Sequence, residues 1–458
     1  MLSIKKHFLI IALLALIIIA HLSIFSKLIY FPYPELFIYP YLTNNGLVPY
    51  SQILDQHFPG LMFFPINFDY LGMRTPEIAK IWSMGIIIIT HILLFLVGKG
   101  LIKNNFKVLV VNILYLVWQP FFEGWVLWID NFLPLFLLPA FYFCFQYFFN
   151  KGRYRNLFLG GLFLGIAVVF KQTVIPLSLL MLIYVLFYTR KINLVSIFTV
   201  GLLSPILLMI LYFLTLGILK DFLYWTIIFN LTTYATYGTR LVPMLGFITR
   251  ILFVYLFSIF ALKAKEKPPI FLLFIFLIGS LMGVLDRLDF VHFQPSLPFV
   301  LLATMVGFHS IRSRHIILLL VYFSVTVWWL IIFYSGHISN KVLLFGEHEY
   351  KLAKRVEQLT AQKEKIFVLG EVPHLYQMSN TLPSGDIYVF QFPWFLRVNE
   401  DRILEKLKQN PPRLAVLKRD AIIEKIDIKI FASKIYDFID KNYTTIDKVD
   451  DTDLLMRK

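Results

Sequence analysis

Two carboxylates, Glu35 and Asp55, stand among aromatics, prolines and glycines in the stretch FPYPELFIYPYLTNNGLVPYSQILDQHFPG. An acid desolvated in such surroundings has the chemistry of a proton acceptor or of a cation ligand. Glu35 is flanked by Pro32, Pro34, Phe31 and Phe37, where loss of water would raise its pKa toward that of a useful base. Asp55 opens DQHFPG, and Pro59, Gly60 and Pro65 make a rigid backbone behind it. His57 reads as an orienting hydrogen-bond partner, because a lone Asp-x-His offers too few ligands for a metal. A second constellation is DRLDFVHFQPSLPF at 286–299, with Asp286, Arg287, Asp289 and His292. The planar fork of an arginine at that place suits a phosphate, which it grips through paired charge-assisted hydrogen bonds. Lys171 in FKQTVIP sits between two apolar runs and must face a cavity or a partner, and Arg240 and Arg250 add positive charge around an aromatic loop, 218–244.

The elements that position these groups are membrane spans. Of the 458 residues 58% are hydrophobic, and mean hydropathy is +0.72, beyond what a soluble globular chain needs. Runs long enough to cross about 30 Å of hydrocarbon predict eleven spans. They fall near 8–29, 81–98, 106–121, 131–149, 157–170, 173–188, 194–216, 245–262, 269–285, 296–309 and 315–334. Trp118, Trp125 and Trp128 read as an interfacial belt, and Glu123 and Asp130 between them as solvated loop acids.

Charge sets an orientation. With Lys5 and Lys6 inside, alternate loops place Lys99, Lys103, Arg153, Arg190, Lys263, Lys267 and Arg312 inside as well, as the positive-inside rule asks. Among the acids before Lys341, only Glu266 falls on the inner side. The odd number of spans sends the C-terminal region outside. The expected location is the cytoplasmic membrane, multi-pass, with a cytoplasmic N-terminus and an extracytoplasmic C-terminal domain. The first apolar run is too long for a signal-peptide core and lacks a small-x-small cleavage site, so it reads as a retained anchor. The single cysteine, Cys144, excludes an intramolecular disulfide and a cysteine metal cluster. The net charge of +15 follows from topology, and nucleic acid is not an expected partner.

Composition changes near 340. GEHEYKLAKRVEQLTAQK at 346–363 patterns as an amphipathic helix, and KIFVLG at 365–370 and RLAVLK at 413–418 as buried strands. NEDRILEKLKQ and ASKIYDFIDKN read as helices, and the terminal residues as a strand or hairpin. The domain expectation is a transmembrane region, 1–339, whose first extracytoplasmic loop is 30–80, followed by a small extracytoplasmic α/β accessory domain, 340–458. No phosphate-binding glycine loop and no internal repeat is evident.

The succession of an acid soon after the first span, then NNGLVPY, then DQHFPG resembles the first extracytoplasmic loop of GT-C membrane glycosyltransferases, in particular protein O-mannosyltransferase-like and Rgt-type enzymes. FKQT and RLDFVHF are similar to later segments of the same superfamily, and the resemblance covers roughly residues 1–335. It departs where Pro34 stands in place of the first acid of a pair and Phe58 in place of a proline. The resemblance implies a polytopic GT-C-like α-helical fold and transfer of a sugar, with inversion, from a polyprenyl-phosphate donor. The acceptor implied is a glycan, lipid or protein of the cell envelope, and membrane lipid is the surrounding partner. Glu35 or Asp55 would be the catalytic base, His57 an orienter, and Lys171, Arg240, Arg287 and His292 the donor-phosphate residues. No cofactor is required by this reading, and a divalent cation between Glu35 and Asp55 is a candidate. The rival classes are a lipid or solute transporter or flippase, which would carry mid-span charge and repeat symmetry, and an O-antigen ligase or polymerase, which would concentrate its residues in a large late loop.

Overall fold

The computed structural model describes residues 2–60, 63–237, 245–264, 266–285, 287–310 and 316–458. Its contacts divide the chain into two compact units, one made of Met1–Phe31, Ala79–Met209 and Arg240–Lys341, the other of Pro32–Ile78, Ile210–Thr239 and Val342–Lys458.

The first unit is helical. Among the described residues nine helices are long and apolar enough to cross a membrane, and Tyr154–Phe170 and Leu297–Phe308 are shorter apolar helices. Together they correspond to the eleven expected spans. Apolar side chains cannot drive helices together in lipid, so close backbone approach and buried polar contacts do so instead. Both occur here. A Cβ added at Gly165 would lie 2.1 Å from the Leu202 carbonyl, and one at Gly201 would lie 2.3 Å from that of Phe158, so Tyr154–Phe170 and Ile192–Thr215 meet backbone to backbone. In the first span, His21 lies 2.9 Å from His91 Nε2 and 3.1 Å from Gln119 Oε1, and His91 reaches Asn112 Oδ1 at 2.8 Å. All four are buried, and the network ties the first three spans.

The second unit is built on a five-stranded sheet with the order Tyr443–Val449, Thr452–Arg457, Leu414–Lys418, Lys365–Leu369, Leu382–Pro383. The last three strands run parallel, and the terminal hairpin adds two antiparallel strands. Ile366, Val368, Leu369 and Leu414–Leu417 are buried, as strands covered on both faces require. Helices Glu347–Leu359, Pro393–Gln409 and Ser433–Asn442 complete the α/β region; the first ends four residues before the patterned stretch does, and the second begins six residues before NEDRILEKLKQ.

The division drawn at 339/340 from composition is not how the contacts fall. Pro32–Ile78 clusters with Val342–Lys458 because backbone and aromatic contacts join them. Ile53–Leu54 pairs in parallel with Tyr388–Val389, Tyr388 N donates to Gln52 O at 2.7 Å, and Tyr41 Oη donates to Thr381 O at 3.0 Å. The middle segment joins through Phe229, stacked on Phe395 at 5.1 Å, and Phe222, 5.2 Å from Tyr50.

Candidate functional site

In the second unit, Pro34 starts a helix, Glu35–Asn44, with a helical φ of −58°. The sequence pattern reads as loop there because Pro34 and Pro40 bracket it, yet proline's fixed φ favours a helix start. Nearly the whole helix is buried, Glu35 through Pro40 included. Glu35 falls in its first turn and Tyr39 one turn later on the same face. Burial pushes the Glu35 carboxyl up to about 8, against a hydrogen bond from its own backbone and with help from the charge of Asp55. Its Oε2 is buried and has no hydrogen-bond partner among the described residues.

Asp55, by contrast, has both carboxylate oxygens hydrogen-bonded. Tyr39 Oη donates to Oδ2 at 2.7 Å and the His57 backbone N–H to Oδ1 at 2.6 Å, while His57 Nδ1 lies 3.0 Å from Oδ1. Tyr50 Oη fixes the loop from behind by donating to His57 O at 2.8 Å, and Asn230 Nδ2 donates to Gln56 O at 2.8 Å. Burial and the nearby carboxylates of Asp55 and Glu35 hold the Tyr39 phenol well above its usual range. Tyr388, 6.0 Å from the Tyr39 ring, is raised by burial and by the same two acids. Glu35, Asp55 and His57 are therefore brought together, and the C-terminal region supplies Tyr388. Nothing local in the sequence marks that tyrosine, which meets the acids only through the pairing of two short strands.

In the first unit, Lys171 follows the helix Tyr154–Phe170 in extended conformation and turns its ammonium to Asp130, at 2.8 and 2.7 Å from the two carboxylate oxygens. His292 Nδ1 lies 2.9 Å from Asp130 Oδ2 and 3.2 Å from Lys171 Nζ. The side chains of Lys171 and Asp130 are 6% and 2% exposed. Asp130 is thus not the solvated loop acid that its neighbourhood suggests. It is the partner Lys171 requires, 41 residues away in sequence. Arg287 lies 2.5 Å from Asp289 and keeps 30% of its side chain exposed. Arg250 stacks between Phe121 and Phe290, at 5.1 and 5.3 Å. Glu123, at φ 57°, accepts from Val291 N at 3.1 Å, and Gln294 Nε2 donates to the carbonyls of Gln119 and Phe122. A left-handed non-glycine residue persists where surrounding contacts over-determine it, as they do here. Lys171 and His292 are brought together, and Arg240 lies outside the described residues.

No family model and no curated protein matches the sequence. Solved structures do. ArnT from Cupriavidus metallidurans in the apo state aligns over 99% of this chain and 98% of its own with a TM-score of 0.61 and 11% identity. The same protein bound to undecaprenyl phosphate aligns over 98% of each chain with a TM-score of 0.64 and 11% identity. The arabinofuranosyltransferase AftD from Mycobacteria aligns over 97% of this chain but 41% of its own, with a TM-score of 0.53 and 10% identity. The chain has the GT-C membrane fold, as the resemblance implies, and a C-terminal sheet region is present, as the patterning after 340 suggests. It is a multi-pass membrane protein.

Proposed function

We propose that the protein is a membrane glycosyltransferase that moves a sugar from a polyprenyl-phosphate donor to a cell-envelope acceptor on the outer face, inverting the anomeric carbon. One observation carries the reading: a buried carboxyl, Glu35, with an oxygen unpartnered among the described residues, beside a second carboxylate whose oxygens are already engaged. Glu35 is the general base. Its free oxygen takes the acceptor hydroxyl's proton as the acceptor oxygen bonds to the anomeric carbon. The bond from that carbon to phosphate oxygen breaks, and the polyprenyl phosphate leaves with the electron pair. Asp55, locked by Tyr39 and His57, orients the acceptor. Arg287 provides the exposed charge for the donor phosphate; Lys171 and His292 contribute as a set fixed by Asp130, and Arg240 adds outer charge. The fold it shares with ArnT, whose structure holds undecaprenyl phosphate, supports the donor class. A divalent cation, where one takes part, would draw on the oxygens of Glu35 and Asp55.

The test uses purified protein and a polyprenyl-phosphate-linked sugar already shown to be consumed, with acceptor and sugar identified by mass spectrometry of envelope glycans with and without the protein. A positioned base contributes about 10² to 10⁴ in rate, so Glu35→Gln should lower turnover by that order with donor binding nearly intact. Wild-type turnover in both Glu35→Gln and Asp55→Asn removes the acid pair from the chemistry. Movement of the lipid or a solute across vesicles without transfer would put a transporter in its place.

A further inference from the structure

Apart from the acid pair, the α/β region gathers three ligating side chains. His348 lies in the first turn of the helix Glu347–Leu359, Glu371 just beyond the strand Lys365–Leu369, and Asp451 in the turn of the terminal hairpin. One ligand atom from each falls within 4.8 Å of the others. The place is the one parallel sheets favour, because Lys365–Leu369 and Leu414–Lys418 are parallel neighbours and ligands collect beyond the carboxyl ends of such strands. Gly370 makes the approach feasible. It has φ +84°, and a Cβ there would come within 2.8 Å of Lys418 O, so a side chain at 370 would push Glu371 off the sheet end.

The His348–Glu371 distance fits a shared ion better than a simple pair. His348 Nε2 is 3.3 Å from Glu371 Oε1. That is long for a charge-assisted hydrogen bond, whose usual length is about 2.7–2.9 Å. It equals the separation of two ligands on a tetrahedral ion with bonds of about 2.0–2.1 Å. The other ring nitrogen, Nδ1, lies 2.9 Å from Asp450 Oδ2, the carboxylate–imidazole contact that fixes a metal-bound histidine in its ligating tautomer. Thr452 Oγ1 donates to Glu371 Oε1, and Val372 N donates to Oε2 at 3.2 Å, so the carboxylate is oriented on both sides. Lys418 Nζ holds one oxygen of Asp451 at 2.8 Å. The side chains grade from 3% exposed at Glu371 through 24% at His348 to 49% at Asp451, a buried floor with an open mouth.

We propose that His348, Glu371 and Asp451 bind one divalent transition-metal ion of the zinc class, with Asp450 as the residue that positions His348. An imidazole with two carboxylates suits zinc-like ions, while magnesium and calcium prefer oxygen-only sets. The ion would clip the helix Glu347–Leu359, the end of the strand Lys365–Leu369 and the terminal hairpin to one another.

The experiment takes the full-length protein in detergent, stripped with a chelator, and titrates it with Zn²⁺ in competition with a chromophoric chelator. One equivalent should bind, undisturbed by excess Mg²⁺, and His348→Gln should lose it. Asp450→Asn should keep the stoichiometry with affinity lower by about 10- to 100-fold. Co²⁺ should give a visible absorption band that disappears in His348→Gln. No stoichiometric zinc uptake, or uptake unchanged in His348→Gln, overturns the proposal and leaves a protonated His348 bridging Glu371 and Asp450. Folding of each variant is read by metal-free thermal unfolding. If Glu371→Gln does not fold, the more exposed His348→Gln carries the decision.

Discussion

A carboxyl raised to about 8 inside the second unit links pH to stability as well as to rate. Unfolded, Glu35 titrates near an ordinary glutamate, so between roughly pH 4.5 and 8 the folded state holds a proton that the unfolded state has lost. The sign follows: this contribution is complete below the unfolded pKa and is lost as pH rises through the folded one, at up to about 1.4 kcal/mol per pH unit. Thermal unfolding followed across that window should show a decline that Glu35→Gln flattens; equal slopes in the two proteins would mean that Glu35 is hydrated. Turnover should move the other way, rising toward pH 8 as the base is freed. The pair Lys171–Asp130 makes a separate claim. Removing one partner of a buried ion pair strands the other, at about 3–5 kcal/mol, so Lys171→Met and Asp130→Asn should each lower thermal stability strongly, while the double variant loses less than their sum. Additive losses would deny the coupling. The sequence exposes Lys171 as a buried charge needing a partner, since apolar flanks leave it no water. It cannot name Asp130, because residues 41 apart in sequence share no local pattern.

At the scale of elements, length and hydropathy reveal the spans because hydrocarbon thickness fixes how many residues a helix needs. The strands Lys365–Leu369 and Leu414–Lys418 are equally legible, being short β-branched and leucine runs between polar helices. The helix Glu35–Asn44 is not, since its two prolines and buried aromatic surface imitate a loop until the surrounding segments cover it. The glycine contact between Tyr154–Phe170 and Ile192–Thr215 lies between these cases, visible as small residues but not as a pair. It predicts that Gly165→Val, which would drive a branched side chain into the Leu202 carbonyl and the Pro205 ring, sharply lowers the melting temperature in detergent, whereas Gly246→Ala, with nothing within 4 Å among the described residues, changes it little. Similar melting of both variants would show that this crossing adjusts freely.

For the molecule as a whole, the second unit's three segments constrain topology. On the eleven-span expectation, six spans separate Pro32–Ile78 from Ile210–Thr239 and four separate that from Val342–Lys458, so even counts would return the chain each time to one side. With basic loops inside, the orientation expected from the sequence, that side would be external. Reporter fusions should therefore read cytoplasmic after Lys267 and external after Lys341, and a cytoplasmic reading at Lys341 would break both the span count and the proposed chemistry. The pairing of Ile53–Leu54 with Tyr388–Val389 also sets a timetable. Chains emerge from the ribosome at about 5–20 residues per second, so the first partner waits on the order of 20–70 s for the second. Throughout that interval the segment bearing Glu35 and Asp55 is already synthesised while the strand and tyrosine that complete its surroundings are still being made. Maturation of the acid pair is thus a late event in biosynthesis, and a nascent chain stalled before Val342 would present an unpaired edge to chaperones and proteases instead of a finished pocket.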